Sequence, residues 1–236
     1  MTREEPRPSK HIGIVAVSAE GAALCYRTIC AEGAAVLGRH AHPQITMHTY
    51  PLADYMRPIY DGDWDATGEM LLASAAILRA SGAEVLICPD NTLHQGVDLV
   101  RDRAGVPWLH IAEEIAAVAE QRGFRRLLVL GTKYLMEGPV YPAKLGVRGI
   151  EHLLPSEEER RRIDAIIFDE LVYGRFDEPA RAYFREVIAR GAERGADAVI
   201  LGCTEIPLLI GDEDSPLPTL DSTRTLARAA LREATA

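Results

Sequence analysis

No two of the four cysteines stand in CxxC spacing; Cys25, Cys30, Cys88 and Cys203 are scattered along the chain. That argues against a zinc site or a disulfide framework. It leaves free thiols, which in most proteins are small buried hydrophobes. No apolar run approaches the roughly 18 residues of a membrane span. The opening MTREEPRPSK lacks the apolar core of a signal peptide, so the expected location is cytoplasmic. Basic charge is in deficit: 26 Lys and Arg against 35 Asp and Glu give a net charge of −9. This disfavours nucleic acid and anionic membrane as partners, though a local basic pocket could still hold an anionic substrate. With 47% hydrophobic and 26% charged residues over 236 positions, the chain has the make-up of an ordinary folded protein of one large or two compact domains.

What is present is alternation. Residues 1–10 read as a flexible tail. Short apolar runs at 11–17, 44–48, 84–88, 106–110, 126–130 and 198–201 read as buried strands. Between them, 19–37, 66–81, 111–121, 156–173, 178–194 and 222–234 carry helical patterns. Strands alternating with helices imply α/β architecture with mostly parallel sheets covered by helices. In such sheets ligands bind beyond the carboxyl ends of the strands. Ser18, 89–92, 131–133 and 202–205 are therefore the segments to weigh.

Two of these segments align without a gap. Gly82-Ala83-Glu84-Val85-Leu86-Ile87-Cys88-Pro89-Asp90 matches Gly195-Ala196-Asp197-Ala198-Val199-Ile200-Leu201-Gly202-Cys203 at an offset of 113, close to half the chain. A repeat at half length predicts two similar Rossmann-like halves, 11–110 and 111–236, related by a pseudo-two-fold axis. The C-terminal helix is free to return to the first half. Asp90 and Cys203 then sit at equivalent strand tips and point into one cleft from opposite sides. Two proton-transfer groups flanking one carbon are what stereoinversion needs. The plain alternative is a βα repeat in which Cys203 is only a packed thiol.

At these tips the chain resembles the aspartate/glutamate racemase superfamily. Leu201-Gly202-Cys203-Thr204-Glu205-Ile206-Pro207 is similar to the family's second-half motif, whose cysteine is one of two catalytic thiols. Pro89-Asp90-Asn91-Thr92-Leu93-His94 is similar to the first-half motif, except that Asp90 stands where the family has its other cysteine. Cys88 is out of register and reads as a packed strand residue. Gly131-Thr132-Lys133 resembles a third segment, and Ile12-Gly13-Ile14 with the loop from Ser18 the opening one. The resemblance implies a homodimer and a racemase or epimerase that needs no pyridoxal phosphate or other cofactor and no metal. Its substrate would be a small acidic amino acid, aspartate, glutamate or an analogue.

The substitution at 90 leaves three readings open. Asp90 and Cys203 act as an asymmetric acid/base pair, with burial raising the carboxyl pKa. Or Asp90 holds a substrate amine or hydroxyl and Cys203 is the sole proton donor, as in a decarboxylase, lyase or one-base isomerase. Or the protein binds a ligand without turnover. Asn91, Thr92, Thr132 and Thr204 are candidates to hold an α-carboxylate, although such residues are also ordinary helix N-caps, and Ser18 is a further substrate-binding candidate. Arg57, Lys133 and Arg175 are candidates for a substrate side-chain carboxylate or, more plainly, surface cations. His94 and Glu205 are supporting candidates, Glu205 through a hydrogen bond that tunes Cys203.

Overall fold

The computed structural model describes residues 9–236. The expected tail falls on residues 1–8, outside the described residues, except at its end. There the Lys10 N–H donates to the Ala234 carbonyl at 2.8 Å. The first stretch of chain runs β1 (Ile12–Ala16), α1 (Ala19–Leu37), β2 (Ile45–Thr49), α2 (Leu52–Asp61), α3 (Trp64–Ala80), β3 (Val85–Ile87), α4 (His94–Val100), β4 (Trp108–Leu109) and α5 (Ile111–Gln121). The second runs β5 (Arg126–Leu130), α6 (Lys133–Met136), α7 (Val140–Gly146), β6 (Glu151–Leu153), α8 (Glu157–Asp169), α9 (Glu178–Glu193), β7 (Ala198–Leu201), α10 (Ile206–Leu209), β8 (Thr219–Asp221) and α11 (Ser222–Thr235).

Each half folds around a four-stranded sheet in which every pairing is parallel. The orders β2-β1-β3-β4 and β6-β5-β7-β8 are the same topology. The period-2 alternation of a strand assigns its side chains to opposite faces. In β5, Leu128 and Leu130 enter one cluster with Ile163, Phe184 and Val187. Leu127 and Val129 enter another with Ile115 and Tyr141. With both faces covered, the strands read as continuous apolar runs.

The repeat has structural content. Gly82 and Gly195 close α3 and α9 at φ of +95° and +89°, where an L side chain is strained. The acids two residues on do equivalent work. Glu84 accepts the His11 N–H at 2.9 Å, at the foot of β1. Asp197 accepts the Arg125 N–H at 2.6 Å, at the foot of β5.

The helix that follows each sheet in sequence packs on the other sheet. Leu226, Ala227 and Ala230 of α11 pack with Ile12 and Ile14 of the first sheet. Ala112, Ile115 and Ala116 of α5 pack with Leu127 and Val129 of the second. The C-terminal helix thus packs on the first sheet, and α5, placed by its sequence position in the second half, packs on the second. This interlock faces the β3 and β7 tips toward each other. Among the described residues no helix is long and apolar enough to cross a membrane.

Candidate active site

Asp90 follows β3 and Cys203 follows β7, and both line one cavity of about 50 Å³ between the halves. Ser18, Thr92, Thr132 and Glu205 complete its polar wall. The volume holds a few water molecules. It is below the roughly 300–1,000 Å³ of ordinary ligand pockets, so a ligand of amino-acid size would have to part the walls on entry. A groove of about 390 Å³ beside it shares Ser18, Leu52, Val172 and Glu205 and provides the approach.

Local chemistry fixes these groups. Ser18 and Thr132 are N-caps of α1 and α6, accepting the N–H of Gly21 at 3.3 Å and of Leu135 at 3.2 Å. Each also reaches across the cleft. Ser18 meets the Thr204 hydroxyl at 3.0 Å, and Thr132 meets Thr92 at 2.9 Å. Thr204 gives its only proton to Glu205 Oε2 at 2.7 Å, so it must accept from Ser18. The Cys203 thiol donates to the same Glu205 oxygen at 3.0 Å. Close approach makes this possible: a Cβ on Gly21 would fall 2.5 Å from the Thr204 side chain.

The two tips have different acid–base character. Burial raises the Asp90 carboxyl from its ordinary 3.8 to about 6; the N–H groups of Leu93 and Thr92 oppose this and the Glu205 carboxyl adds to it. Burial also pushes the Cys203 thiol well above its ordinary value, with Glu205 and Asp90 adding to the shift. Near neutral pH Asp90 is therefore a carboxylate and Cys203 a thiol: one group ready to take a proton, the other ready to give one.

The other expected residues lie elsewhere. Thr204 is buried behind Cys203 in the chain of hydroxyls just described. His94 opens α4, fully buried; its Nε2 lies 3.0 Å from the Cys88 carbonyl, which can only accept, and its ring packs on His110 at 4.3 Å. Burial pushes its pKa well down, so the imidazole is neutral. Cys88 is a core residue. Arg57 is exposed on α2 and does not line the cavity. The exposed Arg175 binds the Asp169 carbonyl. The Lys133 ammonium lies over the Tyr134 ring at 4.9 Å, and its backbone N–H donates to Asp164 at 2.8 Å. Among the described residues, no lysine or arginine lines the cavity.

Asn91 is also not a lining residue. It is buried, donates to the Ser222 hydroxyl at 2.9 Å and accepts from the Tyr141 hydroxyl at 2.7 Å. Ser222 in turn donates to the Leu201 carbonyl at 2.8 Å, at the end of β7. Asn91 thus stitches the β3 tip to the second half. Removing it strands the buried Tyr141 hydroxyl, and an unmet buried polar group costs ~1–3 kcal/mol. Asn91→Ala is expected to lose about 2–4 kcal/mol in a denaturant melt. Adding Tyr141→Phe should recover part of that, because the orphaned hydroxyl goes with it.

Sequence reasoning missed the apolar wall. Leu52, Met56 and Ile59 of α2 face Ile167 and Phe168 of α8 and Val172 just beyond it. The i, i+4, i+7 spacing of the first three was a usable helical signal.

The Asp/Glu/hydantoin racemase family model matches residues 12–230. The chain is 23% identical over 189 residues to the broad specificity amino-acid racemase RacX of Bacillus subtilis, covering 80% of each protein. A solved Yersinia pestis protein described as a candidate Asp/Glu racemase superposes with a TM-score of 0.86 at 32% identity, over 94% of this chain and 98% of that one. An aspartate racemase homologue from Pyrococcus horikoshii superposes with a TM-score of 0.81 at 27% identity and the same coverage.

Proposed function

The chain belongs to the Asp/Glu/hydantoin racemase family, a family of amino-acid racemases, and from that premise we propose that it inverts the α-carbon of an amino acid without a cofactor, using Asp90 and Cys203 as its two proton-transfer groups. One observation carries the assignment of roles. Two equivalent strand tips, 113 residues apart, present a carboxyl of pKa about 6 and a protonated thiol to one small cavity.

In the forward direction the Asp90 carboxylate removes the α-proton from one face. The Cys203 thiol then gives its proton to the opposite face. The enzyme is left with neutral Asp90 and a Cys203 thiolate, the pair needed for the reverse direction. Proton exchange with water restores the resting form. The α-proton is weakly acidic, so the developing negative charge has to be met by preorganised donors. Ser18 gives its proton to Thr204, so the donor to that charge comes from the Thr92–Thr132 pair, which uses one hydroxyl proton between its members and keeps one for the cavity. Glu205 acts on Cys203 through its hydrogen bond, holding the thiol in place and in its protonated form.

The test is solvent exchange. In D2O, each enantiomer of a substrate should take up deuterium at the α-carbon and appear as its mirror image by NMR and chiral chromatography. Cys203→Ala should abolish inversion. Exchange of one enantiomer without inversion would move the protein to a one-base isomerase. Release of carbon dioxide would make it a decarboxylase, with Asp90 a binding group. No exchange across the panel of proteinogenic amino acids would remove the proposal.

A further inference from the structure

We infer that the cavity selects an amino acid with an aliphatic or thioether side chain, of the leucine or methionine type, over the acidic side chain suggested by the motifs. This inference rests on the racemase reading of the same cavity. Its first support is the apolar lobe beyond the two proton-transfer groups. Leu52, Met56 and Ile59 arrive on α2, and Ile167, Phe168 and Val172 arrive from the end of α8 and the turn that follows. Both helices follow the second strand of their sheet in chain order, α2 after β2 and α8 after β6, and the two sets line the same cavity.

The second support is charge. The ionisable carboxyls in the cavity wall are Asp90 and Glu205, and among the described residues no lysine or arginine stands opposite them. Arg57, Lys133 and Arg175 are all exposed and none of them lines the cavity; the Lys133 ammonium lies over the Tyr134 ring. A substrate side-chain carboxylate in this lobe would be desolvated against apolar walls, near two acidic groups and without a cation. Burying an unpaired charge that way is strongly unfavourable. An α-ammonium meets the opposite condition, because both acidic side chains favour it. The α-carboxylate has the one hydroxyl proton that the Thr92–Thr132 pair leaves free.

The third support is adaptability. The closed cavity is small, and the parts that must move are side chains able to do so. Met56 is unbranched and fills irregular gaps readily. Leu52 is 37% exposed and lines both the cavity and the approach groove, so it can swing toward solvent. A methylene well housed in a hydrophobic pocket is worth ~10-fold or more in discrimination. That scale makes leucine or methionine better than alanine, and far better than aspartate.

The experiment measures kcat/KM for α-deuterium exchange of L-leucine, L-methionine, L-aspartate, L-glutamate and L-lysine with the full chain. Calorimetric titration of the same five ligands runs in parallel. Leucine or methionine should exceed aspartate and glutamate by at least about 10-fold in kcat/KM. Leu52→Arg sets a cation at the mouth of the lobe and should shift that ratio at least ~10-fold toward the acidic pair. Faster exchange with aspartate, glutamate or lysine would overturn the inference and leave the racemase proposal standing. If no amino acid exchanges, the racemase proposal falls. The titration then decides the ligand class alone: leucine binding without aspartate binding upholds it, and the reverse overturns it.

Discussion

Asp90→Asn should lower kcat in both directions by about 10²–10⁴, the usual contribution of a positioned general acid or base. The amide keeps an oxygen for the Leu93 N–H, which Asp90 now accepts at 3.2 Å, so the loop needs no new geometry. What it loses is the ability to carry a proton. Wild-type kcat/KM for α-proton removal should fall as pH drops through about 6, because the carboxylate is the active form and its pKa has been raised to that value. A carboxyl at its ordinary 3.8 would hold the rate flat to about pH 4. Asp90→Cys gives the complementary result. It places a thiol where the family has one, so activity should return, with the acidic limb displaced toward the thiol range near ~8.5. An Asp90→Asn enzyme within tenfold of wild type, with the limb near pH 6 intact, would show that Asp90 carries no proton. Cys203 would then be the sole proton-transfer group.

The sequence carried the parts of this arrangement that depend on short-range order. Gly82 and Gly195, Glu84 and Asp197, and the tips Asp90 and Cys203 are visible as a repeat because each is fixed by its own turn and strand. The two-sided burial of β1, β3, β5 and β7 makes them continuous apolar runs that composition reveals. The edge strands β6 (Glu151–Leu153) and β8 (Thr219–Asp221) are three residues each and only partly buried, so their apolar signal is thin. Helix α2 starts after Pro51 and contains Pro58, both of which read as breakers. Its cavity-facing residues were hidden for that reason.

The side-chain destinations were less legible still. Arg57, Lys133 and Arg175 follow strand or helix ends in the linear order, where a substrate cation would be sought, but all three are exposed and none lines the cavity. Asn91 and Thr92 are neighbours with the same polar character. The peptide direction after Asp90 sends the first into the buried Tyr141–Ser222 network and the second to the cavity wall. No spacing rule distinguishes them, because the deciding partners lie 50 and 131 residues away.

The carboxyl proposed as the base should also make the fold weaker, and the same Asp90→Asn variant measures by how much. Asp90 titrates near its ordinary 3.8 when the chain is unfolded and at about 6 when folded. Below pH 4 both states hold the proton and the residue costs nothing. Between pH 4 and 6 the folded state holds more proton than the unfolded one, so stability falls as pH rises. Above pH 6 the cost is complete. At 1.36 kcal/mol per pKa unit it amounts to about 3 kcal/mol. The neutral amide of Asp90→Asn has no charge to desolvate. The variant is therefore expected to be more stable than wild type by about 1–3 kcal/mol at pH 8 and indistinguishable from it at pH 4, read from denaturant midpoints at unchanged m-value. A gain of equal size at both pH values would trace to packing and not to ionisation, and no gain at pH 8 would mean the carboxylate is better solvated than its surroundings suggest. Loss of turnover together with a pH-dependent gain in stability would identify Asp90 as a charge held in the cavity at a cost to folding, as expected of a base whose pKa is tuned by burial.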